Sequence, residues 1–167
     1  NFSKLNWKAG IIAGYFTDNS SNSQGTVGLE GGFGIGINNG EFTVGVTGRL
    51  NAGMDNFRDF SDLQLSFTPG YSLTANDLKL TLGLALVYDL YNGTDDSFNL
   101  FPRIAVSYDF NDRFSVYLKA DGGMYDGSFK TQTYVNPYVL PVGWIHKSSR
   151  TGACLGIMGS VFPYISY

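Results

Sequence analysis

The chain has 167 residues, of which 43% are hydrophobic, 16% are aromatic and only 15% are charged, with a net charge of −3. That length favours a single domain spanning 1–167. The aromatic content and the low net charge exclude intrinsic disorder, and the acidic balance excludes an electrostatic footprint for nucleic acid. No apolar run reaches the length of about 18 residues that a transmembrane helix needs. The single cysteine, Cys154, excludes an internal disulfide framework.

Strict alternation of apolar and mixed residues is the main structural signal. In the segment LKLTLGLALVYDLY, which begins at Leu78, leucine recurs at every second position, and Lys79, Thr81 and Gly83 lie between the leucines. A period of two separates two faces only in a β-strand. The same period predicts eight strands, at 4–16, 26–37, 42–51, 62–73, 78–91, 99–110, 114–125 and 152–167.

Short and long connections alternate between the predicted strands. The short ones contain Asn, Asp or Gly, which suit tight hairpin turns, and lie at 38–41, 74–77 and 111–113. The long ones lie at 17–25, 52–61, 92–98 and 126–151. All short turns therefore fall at one end of an antiparallel up-and-down sheet, the short-turn end, and all long loops at the other, the long-loop end. We predict no helix between the strands, which argues against a βαβ architecture.

Each predicted strand has one wholly apolar face and one mixed face that is rich in glycine. Basic and acidic residues nearly balance on the mixed face, so we expect them to form a network of pairs inside a narrow lumen, where an unpaired charge is costly. The predicted network consists of Lys8, Glu30, Arg49, Lys79, Asp89, Arg103, Asp109, Lys119 and Asp121. Cys154 is in phase with the same face, and we expect a free thiol packed inside.

Two architectures share this pattern, because the apolar face can point inward or outward. An eight-stranded barrel has an interior just wide enough to be filled by side chains, which is too narrow for so many Leu, Ile, Phe and Tyr residues. Soluble strands run about 5–6 residues, whereas a tilted strand that crosses a bilayer needs about 9–11. We therefore predict an all-β fold, a closed antiparallel up-and-down eight-stranded transmembrane β-barrel. A soluble barrel or sandwich that binds an apolar ligand is the alternative.

The order of strands, short turns and long loops, together with an aromatic C-terminal residue, resembles the small eight-stranded outer-membrane barrels of the OmpA transmembrane-domain and OmpX type. Val161, Ile165 and Tyr167 match the alternating C-terminal strand of that class, and Pro163 departs from it. The resemblance implies a monomer in the bacterial outer membrane, in contact with lipid and lipopolysaccharide, with periplasmic termini. It also implies a non-enzymatic role in adhesion, surface interaction or envelope integrity, without a cofactor or a metal.

His146 and Ser148 are the candidates for catalysis, because barrel-type lipid A deacylases resemble this chain in having a His-x-Ser pair. A nucleophile and its base need a third group to orient the imidazole. His146 lies in the last long loop, and no Asp or Glu follows it. We therefore predict no catalytic residue, and a lipid-modifying enzyme is an alternative function. A lumen that conducts small solutes or ions is a second alternative.

The long loop 126–151 is unusually apolar. Tyr134, Tyr138, Leu140 and Trp144 lie in it. Such residues pack on neighbouring loops or form a contact surface for a partner. We predict that these four residues are the candidate partner-contact residues.

Overall fold

The computed structural model of the chain describes residues 2–18, 22–55, 61–91, 96–111, 113–125, 129–135, 148–162 and 165–166. The strands are β1 (Phe2–Thr17), β2 (Asn22–Ile37), β3 (Gly40–Asp55), β4 (Ser61–Ala75), β5 (Leu78–Tyr91), β6 (Ser97–Asn111), β7 (Phe114–Tyr125), β8 (Ser148–Phe162) and β9 (Ile165–Ser166), with one helix, α1 (Phe129–Val135). The strands follow chain order in the sheet, and each pairs antiparallel with the next. The predicted all-β, up-and-down arrangement of eight strands is confirmed.

The tight turns at the short-turn end have the backbone geometry that their residues favour. Asn38 and Asn76 have positive φ angles of 53° and 49°. Asparagine tolerates this left-handed region better than other non-glycine residues, and two-residue hairpin turns require it. The ladder continues across neighbouring turns, since the backbone N–H of Thr74 donates to the carbonyl of Asn39 at 3.0 Å.

Several strands extend further into the predicted long loops than the alternation indicates. β2 begins at Asn22 rather than at 26, and β3 ends at Asp55 rather than at 51. Backbone hydrogen bonds maintain a hairpin ladder without apolar alternation, because they need only paired N–H and C=O groups. Asp18 supports the end of the first hairpin, where its carboxylate accepts hydrogen bonds from the backbone N–H and the side-chain amide of Asn22 at 2.9 and 2.7 Å.

Two predictions about the C-terminal part are wrong. The single strand 152–167 is divided, because β8 ends at Phe162 and β9 folds back so that Ile165 pairs with Phe162. The sequence between the two strands contains Pro163, and proline has no N–H to donate to a continued ladder. The loop 126–151 was predicted to lack a helix, but α1 forms within it. In the described part of the chain, no helix combines the length and the hydropathy needed to cross a membrane.

The apolar face of the sheet, called the outer face from here on, is uncovered. Trp7 and Ile11 on β1 are 78% and 79% exposed, and Leu155 on β8 is 74% exposed. Among the described residues, the buried apolar side chains are Ala85, Val87 and Phe101, and all three lie on the opposite, mixed face, called the inner face. The sheet is therefore a single layer, not one half of a sandwich.

Met124 departs from the predicted alternation. Its position is in phase with the outer face, but its side chain packs against the buried apolar residues of the inner face. The side-chain amide nitrogen of Asn99 lies 3.5 Å from the Met124 sulfur. The pairing of β6 with β7 ends at Arg103 and Asp121. Beyond that pair the described residues of β6 and β7 are no longer paired in register, and the Met124 side chain turns inward.

β1 and β8 lie at the two sides of the sheet. In the part of the chain that is described, β1 pairs with β2 alone. The edge of β8 that points away from β7 pairs with β9 only, near Ser160 and Phe162. The sheet is thus open between β1 and β8. Closure into a barrel, and the placement of that barrel in a membrane, stay predictions.

Candidate functional site

Three groups of residues lie on the inner face of the sheet. The polar cluster consists of Thr26, Arg49, Asn51, Asp62, Gln64 and Asp89. The apolar layer consists of Ala85, Val87, Phe101 and Met124. The inner-face residues that border the glycine-lined cavity are Asn6, Lys8, Gly32, Gly34, Glu41, Thr43, Gly45, Thr68, Gly70, Thr81, Gly83 and Arg103.

The polar cluster centres on Asn51, which is 1% exposed. Its register partners are Thr26 on β2 and Asp62 on β4. The Thr26 hydroxyl donates to the Asn51 side-chain oxygen at 2.8 Å, and the Asn51 amide donates to an Asp62 carboxylate oxygen at 3.1 Å. Asp62 is 2% exposed. A buried carboxylate needs such donors, because burial removes it from water.

A second row of the polar cluster lies beside the first. Arg49 pairs in register with Gln64, and Gln64 pairs with Asp89 on β5. Asp89 is buried. A guanidinium and a carboxylate thus flank one amide across three strands, which brings opposite charges to the same region of the inner face.

Replacement of Asn51 by Ala is expected to lower the free energy of unfolding by about 1–3 kcal/mol, because the change leaves a buried carboxylate and a hydroxyl without this partner. Equilibrium urea unfolding measures the difference. Asn6 provides the control, since its amide donates to Glu41 at 3.3 Å in an exposed position. The variant Asn6→Ala should change the free energy by less than about 0.5 kcal/mol. An equal decrease in the free energy of unfolding in both variants would contradict a stabilising role of the polar cluster.

On β5 the apolar layer lies between the other two groups, because Ala85 and Val87 come between Gly83 and Asp89. On β4 and β3 the residues at the level of Val87 are polar, Ser66 and Thr47. Phe101 is 3% exposed, and its register partner is Ala85. Gly122 on β7 makes room for the Phe101 ring, because a Cβ at that glycine would lie 2.8 Å from the Phe101 Cδ1 atom. The absence of a side chain at Gly122 therefore permits the burial of a large aromatic ring on the inner face.

The glycine-lined cavity has a volume of about 450 Å³. Glycine creates the space, because five of the inner-face residues that border it have no side chain. The Lys8 side chain crosses one of them, so that a Cβ at Gly32 would meet the Lys8 Cε atom at 3.4 Å. Arg103 is the register partner of Asp121 and lies beside Gly83. The cavity is large enough for several water molecules and carries charged groups of both signs.

Two ion pairs involve residues of the predicted charge network. The Lys79 ammonium lies 3.2 Å from an Asp109 carboxylate oxygen on the neighbouring strand, and the Lys119 ammonium lies 2.6 Å from Asp121 on its own strand. All four side chains are exposed to solvent. The other members of the network, Lys8, Glu30, Arg49, Asp89 and Arg103, share the inner face. A network that continues around a closed lumen stays a prediction.

Cys154 is exposed, whereas the sequence predicts a thiol packed inside. Its phase is as predicted, because its register partner Lys119 is on the inner face. The thiol is exposed because β8 lies at the edge of the sheet, where no further strand of the described chain covers it. Among the described residues, no group of three His, Cys, Asp or Glu side chains is arranged to hold a metal ion.

The candidate loop residues lie largely outside the described part of the chain. His146, Tyr138, Leu140 and Trp144 are outside it. Ser148 is the exposed first residue of β8. Tyr134 lies in α1 and is 91% exposed. The proposed partner contact and the His146–Ser148 pair stay predictions.

The alternation predicts Arg49 and Asp89 of the polar cluster as inner-face charges, but the other members of the cluster and the apolar layer were not predicted. The sequence contains a hint of the apolar layer at Phe101, which is a large aromatic residue in phase with the mixed face. It contains little indication of the polar cluster at Asn51 and Asp62, because they lie at the ends of two predicted strands and their pairing depends on register. No protein family matches the chain, and neither the curated proteins nor the solved structures include a match to it.

Proposed function

We propose that the chain is a closed eight-stranded β-barrel of the bacterial outer membrane, non-enzymatic, with its long loops outward for surface interaction, adhesion or envelope integrity. Its termini are periplasmic, and its outer face contacts lipid and lipopolysaccharide. The observation that carries the proposal is the uncovered outer face. Leu29, Leu100 and Leu155, on three different strands, all have exposed side chains.

Energetics favour lipid over water around this face. Full burial of a large aliphatic or aromatic side chain is worth about 1.5–3 kcal/mol relative to exposure in water. A soluble domain would therefore place these residues in a core, whereas the described buried apolar residues are only Ala85, Val87 and Phe101. Acyl chains remove the penalty without a second protein layer.

The inner face and the strand lengths support the same proposal. Asn51, Asp62 and Asp89 are buried polar residues on the inner face, which matches the polar interior and apolar exterior of membrane barrels. β1 has 16 residues, and the shortest of the eight long strands, β7, has 12. Both strands are longer than the length of about 9–11 residues that a tilted strand needs to cross a bilayer.

Closure follows from the lipid environment. A hydrocarbon core offers no partner for backbone N–H and C=O groups, so an open sheet edge is not tolerated there. β1 and β8 are the edges, and both are long. We infer that they pair with each other, which makes the protein a monomeric barrel.

Electrophoretic mobility in SDS tests the proposal. A closed membrane barrel is expected to stay folded in SDS without heating and to migrate differently from the boiled sample. The comparison uses the full chain refolded in detergent and the same chain reconstituted in phospholipid vesicles. Vesicle-bound protein should also resist extraction with alkaline carbonate.

The opposite result would come from a soluble barrel. Such a protein would remain monomeric in buffer without detergent, would stay with the supernatant after vesicles are sedimented, and would migrate identically before and after boiling. That combination would refute the membrane proposal. A lipid-modifying enzyme would instead be recognised by loss of altered lipid A acylation when His146 or Ser148 is replaced.

A further inference from the structure

We propose that the inner face binds a phosphate group in a second cavity, between β7 and β8, which we call the basic cavity. The residues that border it include Lys119, Asp121, Gly123, Arg150 and Gly152, and its volume is about 520 Å³. The inference rests on the proposed barrel and goes beyond it, because it assigns a ligand class to the lumen. The ligand is inorganic phosphate or a small dissolved compound that carries a phosphate group.

Glycine gives the basic cavity its space. Gly152 on β8 is the register partner of Asp121, and Gly123 on β7 is the register partner of Arg150. A Cβ atom at either glycine would meet no atom of a non-adjacent residue within 4 Å. Two neighbouring strands therefore leave an open area on the inner face, and charged side chains from both strands border it.

Positive charge exceeds negative charge around the basic cavity. Lys119 is engaged in its ion pair with Asp121. Arg150 borders the cavity from β8, and Arg103 adjoins it from β6 as the register partner of Asp121. Both guanidiniums lie within electrostatic range of the Asp121 carboxylate, and neither forms an ion pair among the described residues. Three cations and one carboxylate leave two positive charges in excess.

The neighbouring strands do not neutralise this excess. On β5, the inner-face residue beside Arg103 is Gly83. On β1, which would close the barrel beside β8, the inner-face residues at 10, 12 and 14 are uncharged. An unpaired charge in a low-dielectric interior is costly, so the excess favours a bound anion.

Phosphate fits this excess better than a carboxylate does. A phosphate monoester carries a charge of about −1.5 to −2 at pH 7, whereas a carboxylate carries a single negative charge. The guanidinium of Arg150 can bind two phosphate oxygens through parallel N–H donors, and the Lys119 ammonium adds a point charge. The barrel wall separates the inner face from lipid headgroups, so the phosphate group belongs to a dissolved compound.

Glu30 on β2 is the internal competitor for the same cations. A Cβ atom at Gly10 on β1 would lie 2.9 Å from the Glu30 Cγ atom, so the Glu30 side chain lies over β1 on the inner face. Closure beside β8 would bring this carboxylate toward the open side of the basic cavity. An ion pair between Glu30 and Arg150 would then take the place of the phosphate group.

Equilibrium dialysis of radiolabelled inorganic phosphate against the full chain, refolded in a phosphate-free detergent, tests the proposal. With sodium chloride in excess, the unmodified protein should bind a single phosphate per chain. Arg150→Gln and Lys119→Gln should each raise the dissociation constant at least about tenfold, because each variant loses a positive charge and a charge-assisted hydrogen bond. Each variant is compared after it shows the heat-dependent shift in SDS.

Lys79→Gln is the matched control, because it removes an inner-face cation that is paired with Asp109 outside the basic cavity. It should bind phosphate like the unmodified protein. Unchanged affinity in both Arg150→Gln and Lys119→Gln, or binding that excess chloride abolishes, would overturn the proposal.

Absence of phosphate binding in the unmodified protein would also overturn the proposal, and binding by Glu30→Gln alone would show that the internal carboxylate fills the site. Displacement of the labelled phosphate by lipopolysaccharide would overturn the assignment to a dissolved ligand. Loss of the heat-dependent shift in the unmodified protein would instead refute the membrane barrel itself.

Discussion

Replacing Leu84 by Arg is expected to lower the free energy of unfolding of the membrane-inserted barrel by about 2–4 kcal/mol, which is the cost of a charge on the lipid face near the bilayer midplane. Leu84 is exposed on the outer face near the middle of β5. In a lipid environment the guanidinium loses its water there. Urea unfolding of the protein in phospholipid vesicles measures the difference.

Two controls on the same strand distinguish membrane depth from general disruption. Leu78 begins β5 at the short-turn end, where the cost of Arg on the lipid face falls to about 0–1 kcal/mol. Thr81 lies on the inner face and borders the cavity, so Thr81→Arg should cost less than Leu84→Arg. Equal destabilisation at Leu84 and Leu78 would contradict a lipid-facing outer surface.

A disulfide between Cys154 and a cysteine introduced at position 12 is expected to form readily, since closure of the sheet would bring β1 and β8 together. Ile12 lies on the inner face of β1, and Cys154 lies on the inner face of β8. Directly opposed residues in an antiparallel pair have Cα atoms about 4.5–5.5 Å apart, which is within the range of a disulfide. Non-reducing electrophoresis after mild oxidation measures the bond.

The register of the closed pair has a small number of solutions. Inner-face residues must oppose inner-face residues, because a shift of one residue would turn the apolar face inward. Both strands overlap over most of their length when Cys154 opposes Ile12, and a shift by one further pleat places Gly14 opposite Cys154. Cys154 can also oppose Gly10, which lies on the inner face as well and leaves the two strands overlapping over the whole of β8. The variants Gly10→Cys, Ile12→Cys and Gly14→Cys therefore cover three neighbouring registers, and we expect the strongest bond from the central one, Ile12→Cys.

Ala13→Cys is the matched control, because residue 13 lies on the outer face and cannot face Cys154. It should remain reduced under the same conditions. Because the chain has a single native cysteine, each variant reports one pair. Reduced monomer in every inner-face variant would contradict closure. Cross-linked dimers in place of an internal bond would mean that the edges pair between copies.

The strands and their faces could be predicted because they depend on local chemistry. The alternation from Leu78 to Tyr91 marks β5 without reference to any other strand, and it separates Leu84 from Ala85 correctly. Asn38 and Asn76 mark tight turns for an equally local reason, since their side chains tolerate positive φ. Pro163 also indicates locally that a continuous last strand is unfavourable, because proline interrupts a ladder. It lies in the sequence between β8 and β9.

The candidate site could be predicted only in outline. The alternation places Lys79 and Asp109 on one face, but their ion pair depends on the register of β5 with β6. The contact of Met124 with the buried apolar residues of the inner face depends on where the pairing of β6 with β7 ends. Neither the register nor the end of a ladder is determined within a single strand, so the alternation of residues does not predict these contacts.

By itself, the sequence determined the eight long strands, their order, the two ends of the sheet and the separation of an apolar face from a mixed face. These properties follow from side-chain period and turn chemistry, which act over a few residues. Only the tertiary structure decided that the apolar face is uncovered, that Asn51 joins Asp62 in a buried cluster, and that Phe101 lies in an apolar layer beside a glycine-lined cavity. These depend on which strands are neighbours and in what register, because burial is a property of the assembled sheet.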